Sequence, residues 1–180
     1  MNKQVLIVAS SLRAHSNSDE LARSFARGAE EAGNTVEVVS LKGKTIGFCR
    51  GCMACQKTQK CVIRDDAADM AEKVRQADVL AFATPVYYYC LSGQLKTLLD
   101  RCNPLFPSDY AFRDVYLLAT AADEEASAVE GTEKGLRGWV DCFEKARLAG
   151  TVFAGGVDGA GEIKGHAALR AAYEMGKSIG

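Results

Sequence analysis

The chain has 180 residues, 48% of them apolar and 25% charged, with a formal net charge of −1. That length suits a single domain, residues 1–180, with a full core. The near-zero charge gives no electrostatic footprint for nucleic acid or for an anionic membrane surface.

The apolar stretch 5–9 is too short for a signal peptide or a membrane span. The expected setting is therefore a reducing cytoplasm, with the seven cysteines as free thiols rather than a disulfide framework. Residues 5–10 read as a first strand, and 18–32 as a helix with Leu21, Ala22, Phe25, Ala26 and Ala29 on one stripe. Gly33 ends that helix, and Ser16, Asn17 or Ser18 can cap it. Between strand and helix lies a loop of small hydroxyl residues around one arginine: Ser11, Arg13, Ser16, Asn17 and Ser18. Hydroxyls, backbone N–H groups and the positive end of a helix dipole converge on an anion at such a turn. The loop has no glycine, so it is neither a Walker loop nor a dinucleotide fingerprint. It suits a terminal monophosphate, as in a mononucleotide such as FMN. The plainer alternative is an ordinary strand-to-helix turn with an N-cap.

A second strand is expected at 35–41, then a cysteine-rich loop at 42–64. Cys49-x2-Cys52-x2-Cys55-x5-Cys61 is compact enough to wrap a [4Fe–4S] cube. Zinc, a Cys52/Cys55 dithiol pair and metal-free packed thiols are the alternatives. Gln56 to Lys60 reads as solvent-facing and Cys61 as part of an apolar tether, so a metal-free loop is the favoured reading. Asp65 or Asp66 caps a helix at 66–77, and the unbroken apolar strand 79–84 is expected to be central.

Directly after it come Thr84, Pro85, Val86 and three consecutive tyrosines, Tyr87, Tyr88 and Tyr89. Three tyrosines in one loop cannot all face a core, and aromatic rings stack well on planar ligands. Covering an apolar edge or a dimer contact is the alternative. A helix at 92–101, a strand at 115–121, a helix within 132–148, a strand at 151–155 and a helix at 166–179 complete the pattern. Gly159-x-Gly161-x3-Gly165 misses the dinucleotide spacing and reads as a flexible turn. With only His15 and His166 present, zincin motifs and histidine triads are implausible. Cys90, Cys102 and Cys142 read as packing residues, and Trp139 as core or interface.

Five strands alternating with five helices predict an α/β three-layer sandwich. The expected architecture is flavodoxin-like: a five-stranded parallel sheet in order 2-1-3-4-5, with helices on both faces and the ligand at the carboxyl ends of strands one and three.

At these motifs the chain resembles the NAD(P)H-dependent FMN reductases, and in its cysteine loop the iron–sulfur flavoproteins. The matching residues are Ser10, Ser11, Arg13, Ser16, Asn17 and Ser18; then Thr84, Pro85, Val86 and Tyr87 with Ser92 and Gly93; and Cys49, Gly51, Cys52, Cys55, Cys61, Asp65 and Asp66. Serine replaces the family's glycine at Ser10 and Ser16. The resemblance implies non-covalent FMN, NADH or NADPH as reductant, and a homodimer or homotetramer. It implies a quinone, a nitro or azo compound, a metal ion, free flavin or a protein as acceptor. Tyr88, Thr120, Ala121 and Asp123 join the expected flavin site, with Asp123 turned outward or bonded to ribityl hydroxyls. The same cysteine pattern occurs in relatives without a cluster. A flavodoxin-type electron carrier or iron–sulfur flavoprotein is the alternative activity.

Overall fold

The structure, a computed structural model, describes residues 2–180. In chain order it contains β1 (Gln4–Ala9), α1 (Asn17–Glu31), β2 (Thr35–Ser40), the single turn α2 (Cys55–Thr58), α3 (Ala67–Gln76), β3 (Val79–Tyr87), β4 (Cys90–Leu91), α4 (Gly93–Arg101), β5 (Asp114–Thr120), α5 (Glu130–Val140), β6 (Arg147–Ala154) and α6 (Ala167–Lys177).

The main sheet runs β2-β1-β3-β5-β6 with every neighbour parallel, which is the expected path. Three details differ from expectation. The stretch expected as a loop at 42–64 contains the helical turn α2. A sixth strand, β4, pairs antiparallel with β3. It exists because β3 does not stop at Thr84: Val86 and Tyr87 favour extended backbone, and Pro85 tolerates it. The last strand begins at Arg147, not 151, and α5 ends at Val140. Leu148 and Ala149 are good helix formers, but pairing of 147–148 with Asp114 and Val115 captures them in the sheet.

Side-chain alternation along the strands builds two cores. Leu6 and Val8 of β1, Leu80 and Phe82 of β3, and Val115 and Leu117 of β5 face the layer of α3, α4 and α5. Val5 and Ile7, then Val79, Ala81 and Ala83, then Leu118, face α1 and α6. Strands buried on both faces read as continuous apolar runs for this reason. The α1–α6 layer is closely packed. A Cβ on Gly28 would lie 2.0 Å from the Tyr173 carbonyl oxygen, and one on Gly176 would lie 2.1 Å from that of Phe25. Among the described residues no helix is long and apolar enough to cross a membrane.

Candidate functional site

The site lies where β1, β3 and β5 end. The loop after β1 turns at His15, whose φ is 53°, and enters α1 through Ser16. Ser16 has extended backbone and its Oγ accepts the Asp19 N–H at 3.1 Å, the bond of an N-cap. The N–H groups of Asn17 and Ser18 open the helix and have no acceptor within it. They carry the positive end of its dipole. Ser11, Ser16 and Ser18 are all buried around this point. Asp19 is pushed above its ordinary 3.8 by burial, against a lowering hydrogen bond from Ser16.

The glycine-rich loop after β6 closes over this turn. The Asn17 Nδ2 donates to the Gly159 carbonyl at 2.9 Å, and its Oδ1 accepts the Ile163 N–H at 3.2 Å. The Arg13 guanidinium donates to the Asp158 carbonyl. Glu162 folds back to accept the N–H groups of Asp158 and Gly159 at 2.8 and 2.7 Å.

These loops enclose a cavity of about 310 Å³. Ser11, Arg13, Ser16, Asn17 and Ser18 line one side. Pro85, Val86, Tyr87 and Tyr88 line a second, and Thr120, Ala121 and Ala122 a third. Val157 and Asp158 complete it. The last two were not foreseen, whereas Ala122 falls within the stretch 120–123 expected as the third wall. The one signal that could have found Val157 and Asp158 is their position after the final strand, on the same edge of the sheet as the other loops.

Five expected site residues, Ser10, Thr84, Ser92, Gly93 and Asp123, do not line the cavity. Ser10 Oγ bonds the Ala83 carbonyl and Ser92 Oγ, both at 3.0 Å. Thr84 Oγ1 accepts the Ser92 N–H at 3.2 Å, and Ser92 is the N-cap of α4. This buried network ties the two loops together. Gly93 opens toward a separate groove with Leu12 and Phe48. Asp123 is turned away, accepting from the Tyr89 hydroxyl at 3.2 Å and the Glu125 N–H at 2.9 Å.

The cysteine loop lies apart. Cys55 is buried, and its Sγ accepts from Asn103 Nδ2 at 3.2 Å. Cys49 lines one cavity with Cys102 and Cys142, whereas Cys61 lines another with Arg101. Among the described residues no group of three or more His, Cys, Asp or Glu side chains is placed to hold a metal ion. The four cysteines are not gathered at one point. An ion pair anchors the loop. Arg101, with its side chain 0% exposed, grips both carboxylate oxygens of Asp65 at 2.7 and 2.9 Å. It also donates to the carbonyls of Gly47 and Ile63. The guanidinium holds the Asp65 carboxyl below its ordinary 3.8. Cys90 and Cys142 are exposed, contrary to their expected packing role, because they lie on the outward hairpin and at the end of α5.

Similarity to known proteins agrees with this layout. The chain is 35% identical over 102 residues to the iron-sulfur flavoprotein MJ1083 of Methanocaldococcus jannaschii, covering 57% of this chain and 53% of that protein. It is 30% identical over 69 residues to the putative NAD(P)H-dependent FMN-containing oxidoreductase YwqN of Bacillus subtilis, covering 34% of this chain and 38% of that one. The chain thus matches about half the length, or less, of these relatives. Its fold is similar to that of an NAD(P)H:quinone oxidoreductase from Methanothermobacter marburgensis, with a TM-score of 0.75, 19% identity and full coverage of both chains. An azoreductase from Bacillus anthracis follows, with a TM-score of 0.74, 18% identity, and 98% and 99% coverage. The family model for NADPH-dependent FMN reductases matches residues 4–156, and the chain belongs to that family.

Proposed function

We propose that the chain is an FMN-dependent NAD(P)H oxidoreductase that passes electrons to a small planar acceptor of the quinone or azo class. The observation that carries this reading is one cavity built by the anion-binding turn, the tyrosine loop and the loop after β5. Buried hydroxyls and unpaired N–H groups at a helix start suit a phosphate monoester. Pro85 to Tyr88 offers flat apolar and aromatic surface for a ring system. Family membership and the kinds of enzyme sharing the fold support the same reading.

FMN, when bound, supplies the two-electron chemistry between nicotinamide and acceptor. The chain has four tasks. Ser11, Ser16 and Ser18 hold the phosphate. Arg13 balances its charge from a position fixed by the Asp158 carbonyl. Asn17 fastens the 157–163 loop over the phosphate end. Tyr87, 47% exposed at the cavity wall, meets the ring.

The test is FMN titration followed by NADH and NADPH oxidation with a naphthoquinone. The double variant Arg13→Ala/Asn17→Ala is expected to weaken FMN at least tenfold, about 1.4 kcal/mol. Flavin fluorescence quenching on binding is expected to be partly restored in Tyr87→Ala. Unchanged FMN affinity in the double variant, or an FMN-loaded protein that oxidises neither nucleotide, refutes the reading. A second reading, an iron–sulfur flavoprotein, is favoured by the spacing of Cys49, Cys52, Cys55 and Cys61 and by similarity to the Methanocaldococcus jannaschii protein. Iron and acid-labile sulfide on anaerobically prepared protein decide it. Flavin without iron is the expected result; about four of each per chain, lost in Cys52→Ser, would favour the cluster.

A further inference from the structure

Tyr88 and Tyr89 form the two-residue turn between β3 and β4, with φ of 47° and 58°. Positive φ at both central positions marks a type I′ turn, whose usual occupants are Asn and Gly. A tyrosine Cβ is crowded there. The chain nevertheless places two tyrosines in it and braces the turn from outside. The Tyr89 carbonyl oxygen lies 2.1 Å from where a Cβ on Gly131 would stand. One helical turn on, a Cβ on Gly135 would be 3.5 Å from Leu91 of β4. Glycine inside a helix costs stability, and α5 carries it at Gly131, where the Tyr89 carbonyl presses in, while the contact at Gly135 is an ordinary one. The Tyr89 hydroxyl adds its bond to Asp123 at 3.2 Å.

The product of this bracing is Tyr88, which lines the rim of the cavity with its side chain fully bare, at 101% exposure. Tyr87 lies nearer the wall. A free ring on a strained, supported turn suits a ligand that comes and goes. We propose that Gly131 and Asp123 are positioning residues that hold the Tyr88 ring as a stacking face for the planar aromatic acceptor, and so set acceptor specificity. This rests on the oxidoreductase reading above.

The readout is the ratio of kcat/KM for a naphthoquinone to that for ferricyanide, an outer-sphere acceptor that needs no stacking. Tyr88→Asn/Tyr89→Gly gives the turn its preferred residues. It is expected to raise Tm by about 3 °C or more and to lower the ratio at least fivefold. Tyr88→Phe keeps the ring and is expected to restore the ratio to within twofold of the parent. Gly131→Ala is expected to lower both the ratio, at least threefold, and Tm. That is the reverse of the usual effect of Gly→Ala at an unstrained site. An unchanged ratio in the double variant and in Gly131→Ala, or no rise in Tm in the double variant, overturns the proposal. A parent protein that fails to bind FMN or to oxidise NAD(P)H refutes the oxidoreductase reading instead, while the Tm comparison still reports on the turn.

Discussion

Burial sets the reactivity of the seven cysteines one at a time. Cys102 is buried at the C-terminal end of α4, and desolvation pushes its thiol up to about 12. The thiolate is the reacting form, so Cys102 is inert near neutral pH. Cys55 is buried too, whereas Cys49, Cys52, Cys90 and Cys142 are exposed. Iodoacetamide labelling at pH 7.5 with peptide mapping is expected to mark those four first, and Cys55 and Cys102 only after unfolding. Rapid labelling of Cys102 in the folded protein would contradict this. Residue types alone do not separate these fates. Cys90, Cys102 and Cys142 look alike in the sequence, because a thiol packs as a small hydrophobe. The hairpin that carries Cys90 outward depends on an unusual turn, which no residue pattern announces. The capped turn after β1 was legible for the opposite reason, since its hydroxyls, helix cap and strand end are all local.

Among the elements, the cysteine loop depends on a partner outside its own stretch of chain. Asp65 reads as a helix cap, and its Oδ1 does accept the Ala67 N–H at 3.1 Å. Its larger role, the pair with Arg101, spans 36 positions and is invisible to local pattern. Asp65→Ala strands a buried guanidinium and is expected to cost about 3–5 kcal/mol in denaturant unfolding. Arg101→Met leaves the Asp65 carboxylate with the Gly47 and Ala67 N–H groups as donors and is expected to cost less. A smaller loss in Asp65→Ala than in Arg101→Met would refute the clamp. The pair also fixes a pH dependence. The folded carboxyl titrates below its ordinary 3.8, so its contribution to stability is present above that pH. It is lost as pH falls through the lower folded value. Acid unfolding of the parent is therefore expected to be steeper below pH 3.8 than that of Arg101→Met, which lacks the pair.

At the scale of the whole molecule, the candidate site joins the two ends of the chain. The turn after β1 and the loop after β6 meet through Asn17, and α1 and α6 lie against each other behind them. The strand order that brings these segments together was legible in the alternation of apolar strands with amphipathic helices. The contact of α1 with α6 was not, because glycine inside a helix pattern looks like a weakness until the facing backbone is seen. Gly28 shows the point, with a Cβ there only 2.0 Å from the Tyr173 carbonyl oxygen. Gly28→Ala is expected to destabilise by about 1–3 kcal/mol through overpacking, lowering Tm by roughly 2–12 °C at this chain length. Gly28 does not line the cavity, so the variant is expected to keep its ligand response. FMN at a hundred times its Kd stabilises a folded protein by about 2.7 kcal/mol. Thermal melts with and without FMN are therefore expected to show rises of similar size, roughly 5–11 °C, in parent and variant alike. A variant that melts lower and no longer responds to FMN would mean that the α1–α6 contact shapes the cavity itself through the first turn of α1.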